Sequence, residues 1–170
     1  FLACAKNGII WSSCSPDFGA QGVVDRFKQI EPKVLITSDY YFYNGKKINI
    51  LDKVDEVLKQ IPSIEKVIVY NYYKKEKENL KDFIDFEETL NVESDESFER
   101  FEFNHPIYIL FSSGTTGKPK CITHGTGNVL IEHNKEFMLH CDIRDNEKLF
   151  YYTTTGWMMW NWLVGGLATG

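Results

Sequence analysis

The chain has 170 residues and a mass of 19.8 kDa, with 43% hydrophobic, 25% charged and 15% aromatic residues. That composition fits about one soluble globular domain and excludes disordered, collagen-like and repeat classes. The net charge is −5, and no basic stripe is present to track a phosphate backbone, so nucleic acid is not expected as a main partner. Charge is uneven along the chain: residues 1–106 hold 14 Lys/Arg against 19 Asp/Glu, whereas residues 107–170 hold five of each. The neutral last third is therefore where chemistry is sought. Both ends look cut, in an apolar pattern at Phe1 and without a polar tail at Gly170, and a piece of a longer protein is expected. Cysteines at 4, 14, 121 and 141 form no C-x-x-C pair and no zinc spacing, which suits structural cysteines in a reduced, cytoplasmic chain. The longest apolar-rich stretch, Trp157 to Leu167, is too short to span a bilayer and carries Asn161.

In chain order, Ile9 to Ser12 reads as a short strand, followed by a turn at Ser15-Pro16-Asp17-Phe18-Gly19. Val23, Val24, Phe27 and Ile30 share a helical face that Pro32 ends, and Lys33 to Thr37 is a buried-strand run. The order repeats: Leu51, Val54, Leu58 and Ile61 form a helix stripe, Pro62 breaks it, and Val67 to Tyr70 is a strand. Strand and helix alternate, so the expected class is α/β, with mostly parallel layered sheets and helices on both faces. Between Glu76 and Glu102 eleven acidic residues face three basic ones, and this stretch reads as a solvated connection or, alternatively, an acidic interaction surface. The expected division is 1–75, an acidic connection 76–106, and a second α/β part 107–170.

Ile107 to Phe111 is a strand candidate running into Ser112-Ser113-Gly114-Thr115-Thr116-Gly117-Lys118-Pro119-Lys120. Glycines let backbone N–H groups approach phosphate oxygens, hydroxyls add rotatable donors, and an ammonium supplies a point charge, so this loop reads as an anion cradle. It is not a Walker A loop, because Ser112 stands where that motif needs Gly and Pro119 where it needs Ser or Thr. A plain flexible turn is the bland alternative. His133 and His140, seven apart on one face with Val129 and Phe137, read as packing histidines, and His105 has no evident partner. Leu149 to Tyr152 reads as a strand and Trp157 to Leu167 as a helix.

The run Tyr108 to Lys120 resembles the phosphate-binding signature of the adenylate-forming acyl-CoA synthetase superfamily. Trp11 to Gly19, Tyr43-Asn44-Gly45-Lys46 and Thr154 to Asn161 extend the resemblance over nearly the whole chain outside the acidic stretch. They are similar to the acetoacetate-activating branch rather than to acetyl- and propionyl-CoA synthetases, whose corresponding stretch usually reads Ala-Asp-x-Gly-Trp-x-Thr-Gly-His.

The resemblance implies an acid–thiol ligase that joins acetoacetate to ATP, releases pyrophosphate and transfers the acyl group to coenzyme A. Under it, Ser112, Ser113, Gly114, Thr115, Thr116, Gly117 and Lys120 hold the ATP phosphates together with Mg²⁺, while Lys118 falls at a variable position. His124 supports the loop. Trp157, Met158, Met159 and Trp160 wall the acyl pocket, with an ordinary aromatic core as the competing reading. Trp11, Ser12 and Ser13 match the turn beside the pantetheine of coenzyme A. Lys46 aligns with an Arg that some relatives direct at a coenzyme A phosphate, and a solvated Lys is the alternative there. The adenine-pocket motif, the ribose-binding Asp, the hinge and the C-terminal domain with its adenylation Lys are all expected beyond Gly170, so these residues alone are expected to be inactive. The alternatives are an acetyl- or propionyl-type synthetase and a noncatalytic nucleotide-binding module.

Overall fold

A computed structural model describes residues 1–73, 83–93, 97–112 and 117–169. In chain order they form α1 (Leu2–Lys6), β1 (Trp11–Ser12), α2 (Ala20–Phe27), β2 (Val34–Ser38), β3 (Tyr40–Tyr43), β4 (Lys46–Asn49), α3 (Leu51–Gln60), β5 (Lys66–Tyr70), β6 (Ile84–Asp85), α4 (Phe86–Thr89), β7 (Pro106–Ser112), β8 (Lys120–Gly125), α5 (Thr126–Lys135) and α6 (Met158–Gly165). A π-helical turn, Glu136–His140, continues α5, and a 3-10 turn, Gly166–Thr169, follows α6. The class is mixed α/β. The chain forms two compact units, Pro16–Glu96 and Phe1–Ser15 with Ser97–Gly170.

In the first of these units β2 and β5 pair in parallel, Leu35 opposite Val67 and Thr37 opposite Val69, and β6 joins β5 in parallel at Ile68–Ile84. The apolar stripe of α3 packs on this sheet: Ile50, Val54, Val67 and Val69 are buried together, with Leu35, Leu58 and Ile64 against them. Burying one such valine fully contributes about 1.5–3 kcal/mol, which sets the register of both elements. β2 departs from the expected buried run. Val34 and Ile36 are 48% and 44% exposed, because β2 is an edge strand and only its Leu35 face meets the core. Within the acidic stretch, residues 83–93 carry β6 and α4, and the Asp85 carboxylate caps that helical turn by accepting from Glu87 N at 3.2 Å.

The β3–β4 hairpin was not anticipated. It turns on Asn44 and Gly45, both in the left-handed region at φ 47° and 72°, the two-residue turn that matches strand twist. The buried Asp39 ties its base to the end of β5: one carboxylate oxygen accepts from Tyr40 N (2.7 Å) and Tyr72 N (2.9 Å), the other from Tyr73 N (3.2 Å).

In the other unit β1 runs parallel to β7, with Trp11 opposite Tyr108, and β8 runs antiparallel to β7. The antiparallel ladder is an exception within the mostly parallel pairing expected, to which β1–β7, β2–β5 and β5–β6 conform. Residues 113–119 are too few for a crossover, which needs about a dozen or more, so the chain can only turn back. Leu149 to Tyr152 is not a strand: no described neighbour supplies a ladder, and Phe150 and Tyr152 are exposed. His133 is buried as expected, edge-on to the buried Phe137, but His140 is exposed. The π turn between them widens the helical step, so a seven-residue spacing no longer keeps one face. His105 does have partners: its Nε2 lies 2.9 Å from Gly8 O and its ring stacks on Phe101 at 4.5 Å.

Candidate functional site

Ser112 ends β7 and Lys120 begins β8, and the ladder sets them opposite each other at the mouth of the loop. Ser113, Gly114, Thr115 and Thr116 lie outside the described residues. Gly117, Lys118 and Lys120 are exposed, and a Cβ placed on Gly117 would meet nothing within 4 Å. Among the described residues neither Lys118 nor Lys120 has a carboxylate partner. Two exposed ammonium groups and one hydroxyl thus lie at the carboxyl end of a strand, chemistry suited to an anion.

β1 and β7 are parallel, so the segment after Ser12 leaves the sheet at the same edge as the loop. Ser12 Oγ donates to Ile109 O at 2.8 Å, and Ser13 Oγ donates to Thr155 O. The Trp11 ring stacks on Trp160 at 6.4 Å, and Phe1 sits edge-on to both, at 6.1 and 5.8 Å. Residues assigned from sequence to two different ligands, coenzyme A and the acid, thus form one cluster with the amino end of α6. Trp157 and Met158 stand 62% and 51% exposed at that end, while Met159 and Trp160 are half-buried. Lys46 is exposed at the start of β4, in the other unit.

His124 lies opposite Tyr108, four residues along β8 from Lys120, roughly 14 Å at about 3.4 Å per residue. Its ring packs at 4.9 Å on that of Tyr108. Burial lowers the His124 pKa and also that of His133, and it pushes the Tyr108 phenol up to about 12. Burial therefore favours the neutral form of all three groups.

Sequence reasoning passed over the polar atoms the cluster buries. Trp11 Nε1 and both amide atoms of Asn161 are buried without a hydrogen-bond partner among the described residues, and Asn161 is 1% exposed. The signal was a lone carboxamide in an otherwise apolar helix. A separate cavity of about 420 Å³ opens among Ile143, Leu149, Leu163 and Leu167, with Arg144 and Glu147 at its rim, and none of the expected site residues lines it. No helix among the described residues is long and apolar enough to cross a membrane.

The chain belongs to the AMP-binding enzyme family, which it matches over residues 1–169. Among its relatives, an acetoacetyl-coenzyme A synthetase of Rhizobium meliloti (strain 1021) is 51% identical and an acetoacetyl-CoA synthetase of Gallus gallus 46% identical, each over 99% of this chain. A malonamoyl-CoA synthetase of Penicillium aethiopicum is 42% identical over 99% of the chain and 25% of its own length. The solved acetoacetyl-CoA synthetase of Streptomyces lividans superposes with a TM-score of 0.91 at 43% identity, over 99% of this chain and 26% of that one. The chain spans about a quarter of the length of these relatives (26% and 27% for the first two).

Proposed function

We infer that the protein carrying these residues is an AMP-forming acid–thiol ligase that activates acetoacetate with ATP and passes the acyl group to coenzyme A. The observation that carries this reading is the Ser112–Lys120 pairing at the loop mouth, in a chain similar throughout to acetoacetyl-CoA synthetases. A carboxylate is a poor electrophile because it is anionic and lacks a leaving group. Transfer of AMP to it supplies one, provided the charge building on pyrophosphate meets donors already in place. Ser112 and Lys120 flank that charge, and Ser113, Gly114, Thr115, Thr116 and Gly117 complete the cradle. Mg²⁺ would supply charge neutralisation on the phosphates. Among the described residues no three His, Cys, Asp or Glu side chains converge into a site of their own for it.

Trp157, Met158, Met159 and Trp160 wall the acid, and Trp11, Ser12 and Ser13 guide the pantetheine thiol toward the same place. The Ser13–Thr155 bond, which holds these two segments together, supports that arrangement. His124 braces the hairpin through Tyr108, and Lys46 contributes one ammonium toward a coenzyme A phosphate. The cytoplasm is the expected site of action, consistent with four free cysteines.

A second reading, malonamate as the acid, is favoured by the Penicillium aethiopicum relative. The test uses the full-length protein: acid-dependent exchange of labelled pyrophosphate into ATP with acetoacetate, malonamate, butyrate, propionate and acetate, then thioester formation with coenzyme A. Exchange strongest with acetoacetate is expected. Preference for another acid removes the substrate assignment, and no exchange with any acid removes the ligase reading.

A further inference from the structure

Asn161 is the anomaly of the fold. Its carboxamide is buried, yet neither its oxygen nor its nitrogen has a partner among the described residues. A buried polar group left unpaired costs stability, and an apolar residue of the same size would not. Helical side chains slant toward the amino end and cover the turn before their own Cα. Asn161 is the fourth residue of α6, so its amide is directed at the turn begun by Trp157 and Met158. The amino end of that eight-residue helix has no side-chain cap. Both side chains at that end, Trp157 and Met158, are more than half exposed.

We propose that Asn161 is the residue that recognises the second oxygen of the acid, its amide N–H donating to a carbonyl two carbons from the carboxylate. The proposal rests on the acid-activating reading above and deepens it. Acetoacetate and malonamate both carry a carbonyl at that position, whereas butyrate carries a methylene. A site built to hydrogen-bond an oxygen rejects the analogue lacking it, because the site's own polar group then stays unpaired. Trp11 Nε1, the other orphan of the cluster, lies in the ring stacked on Trp160, the residue just before Asn161. It provides the same kind of donor and no acceptor.

The experiment compares kcat/KM for acetoacetate and butyrate in the full-length protein, wild type against Asn161→Leu, with thermal melting of both. The acetoacetate-to-butyrate ratio is expected to fall by about tenfold or more, the loss falling on acetoacetate, while Asn161→Leu melts no lower than wild type. An unchanged ratio overturns the proposal. So does a lowered melting point with an unchanged ratio, which would assign the amide to an internal water network. Should the leucine variant not fold, Asn161→Ala is read by the same ratio. A wild type that does not discriminate between the two acids overturns both this proposal and the substrate reading beneath it, whereas discrimination that survives both substitutions overturns this proposal alone.

Discussion

Gly156 offers a direct test of how the aromatic wall is held. A Cβ built there would lie 2.6 Å from Ser15 N and 3.2 Å from Cys14 C, while ordinary contact begins at about 3.4 Å. Gly156→Ala must therefore drive the 13–15 segment and the 154–157 segment apart by about 0.8 Å, the difference between those two distances. The nearest atom is main chain, so no rotamer change relieves it, and trimming Ser15 to Ala does not rescue the variant. Overpacking of this kind costs about 1–3 kcal/mol. The Ser13–Thr155 hydrogen bond spans the same seam and would be stretched or lost. Misplacement by about 1 Å costs on the order of 10² in rate when reacting groups must be aligned. In the full-length protein, acid-dependent pyrophosphate exchange and thioester formation should both fall, roughly 10- to 100-fold, and the melting temperature should drop. A Gly156→Ala protein that melts and turns over like wild type would refute the inference that these two segments are held in backbone contact.

Lys120→Ala should lower pyrophosphate exchange by about 10- to 100-fold, while Lys118→Ala changes it far less; equal effects would contradict the assignment of Lys120, rather than Lys118, as the phosphate contact. Asp39→Ala strands the N–H groups of Tyr40, Tyr72 and Tyr73 and should destabilise by about 3 kcal/mol. Asp39→Asn, which keeps one acceptor oxygen, should cost less, and faster hydrogen exchange confined to residues 40–43 and 70–73 is the readout. The pKa values of His124 and His133 are lowered by burial, so the unfolded chain takes up protons first as pH falls. The stability these rings contribute is complete above their unfolded pKa, near 6.5, and is lost as pH drops from there through their folded values. Melting temperature should decline between pH 7.5 and 5.5, and the decline should be smaller in His133→Leu; equal slopes would show that the buried imidazole does not govern it.

Much of this protein was legible from local pattern. The stripe of Leu51, Val54 and Leu58, the run Val67 to Tyr70 and the hydroxyl-rich loop after Phe111 are each dictated by a few neighbouring residues, because periodicity and turn chemistry act over one or two turns of chain. Two missed features were also local. Asn44-Gly45 between aromatic runs is a hairpin signal, and the seven residues 113–119 leave room only for an antiparallel return. Other features depended on distant partners. His105 found Gly8 O, Leu149 to Tyr152 found no ladder, and the π turn moved His140 off the face it shared with His133. Trp11 and Trp160, far apart in sequence, meet only because β1 lies beside β7 and α6 returns to that edge. The proposed chemistry of the phosphate loop rests on sequence alone, since its backbone amides, hydroxyls and ammonium groups are consecutive in the chain. Only the tertiary structure could decide which polar groups are left without partners, because burial and pairing are properties of the whole fold, and Asn161 becomes conspicuous only once everything around it is packed.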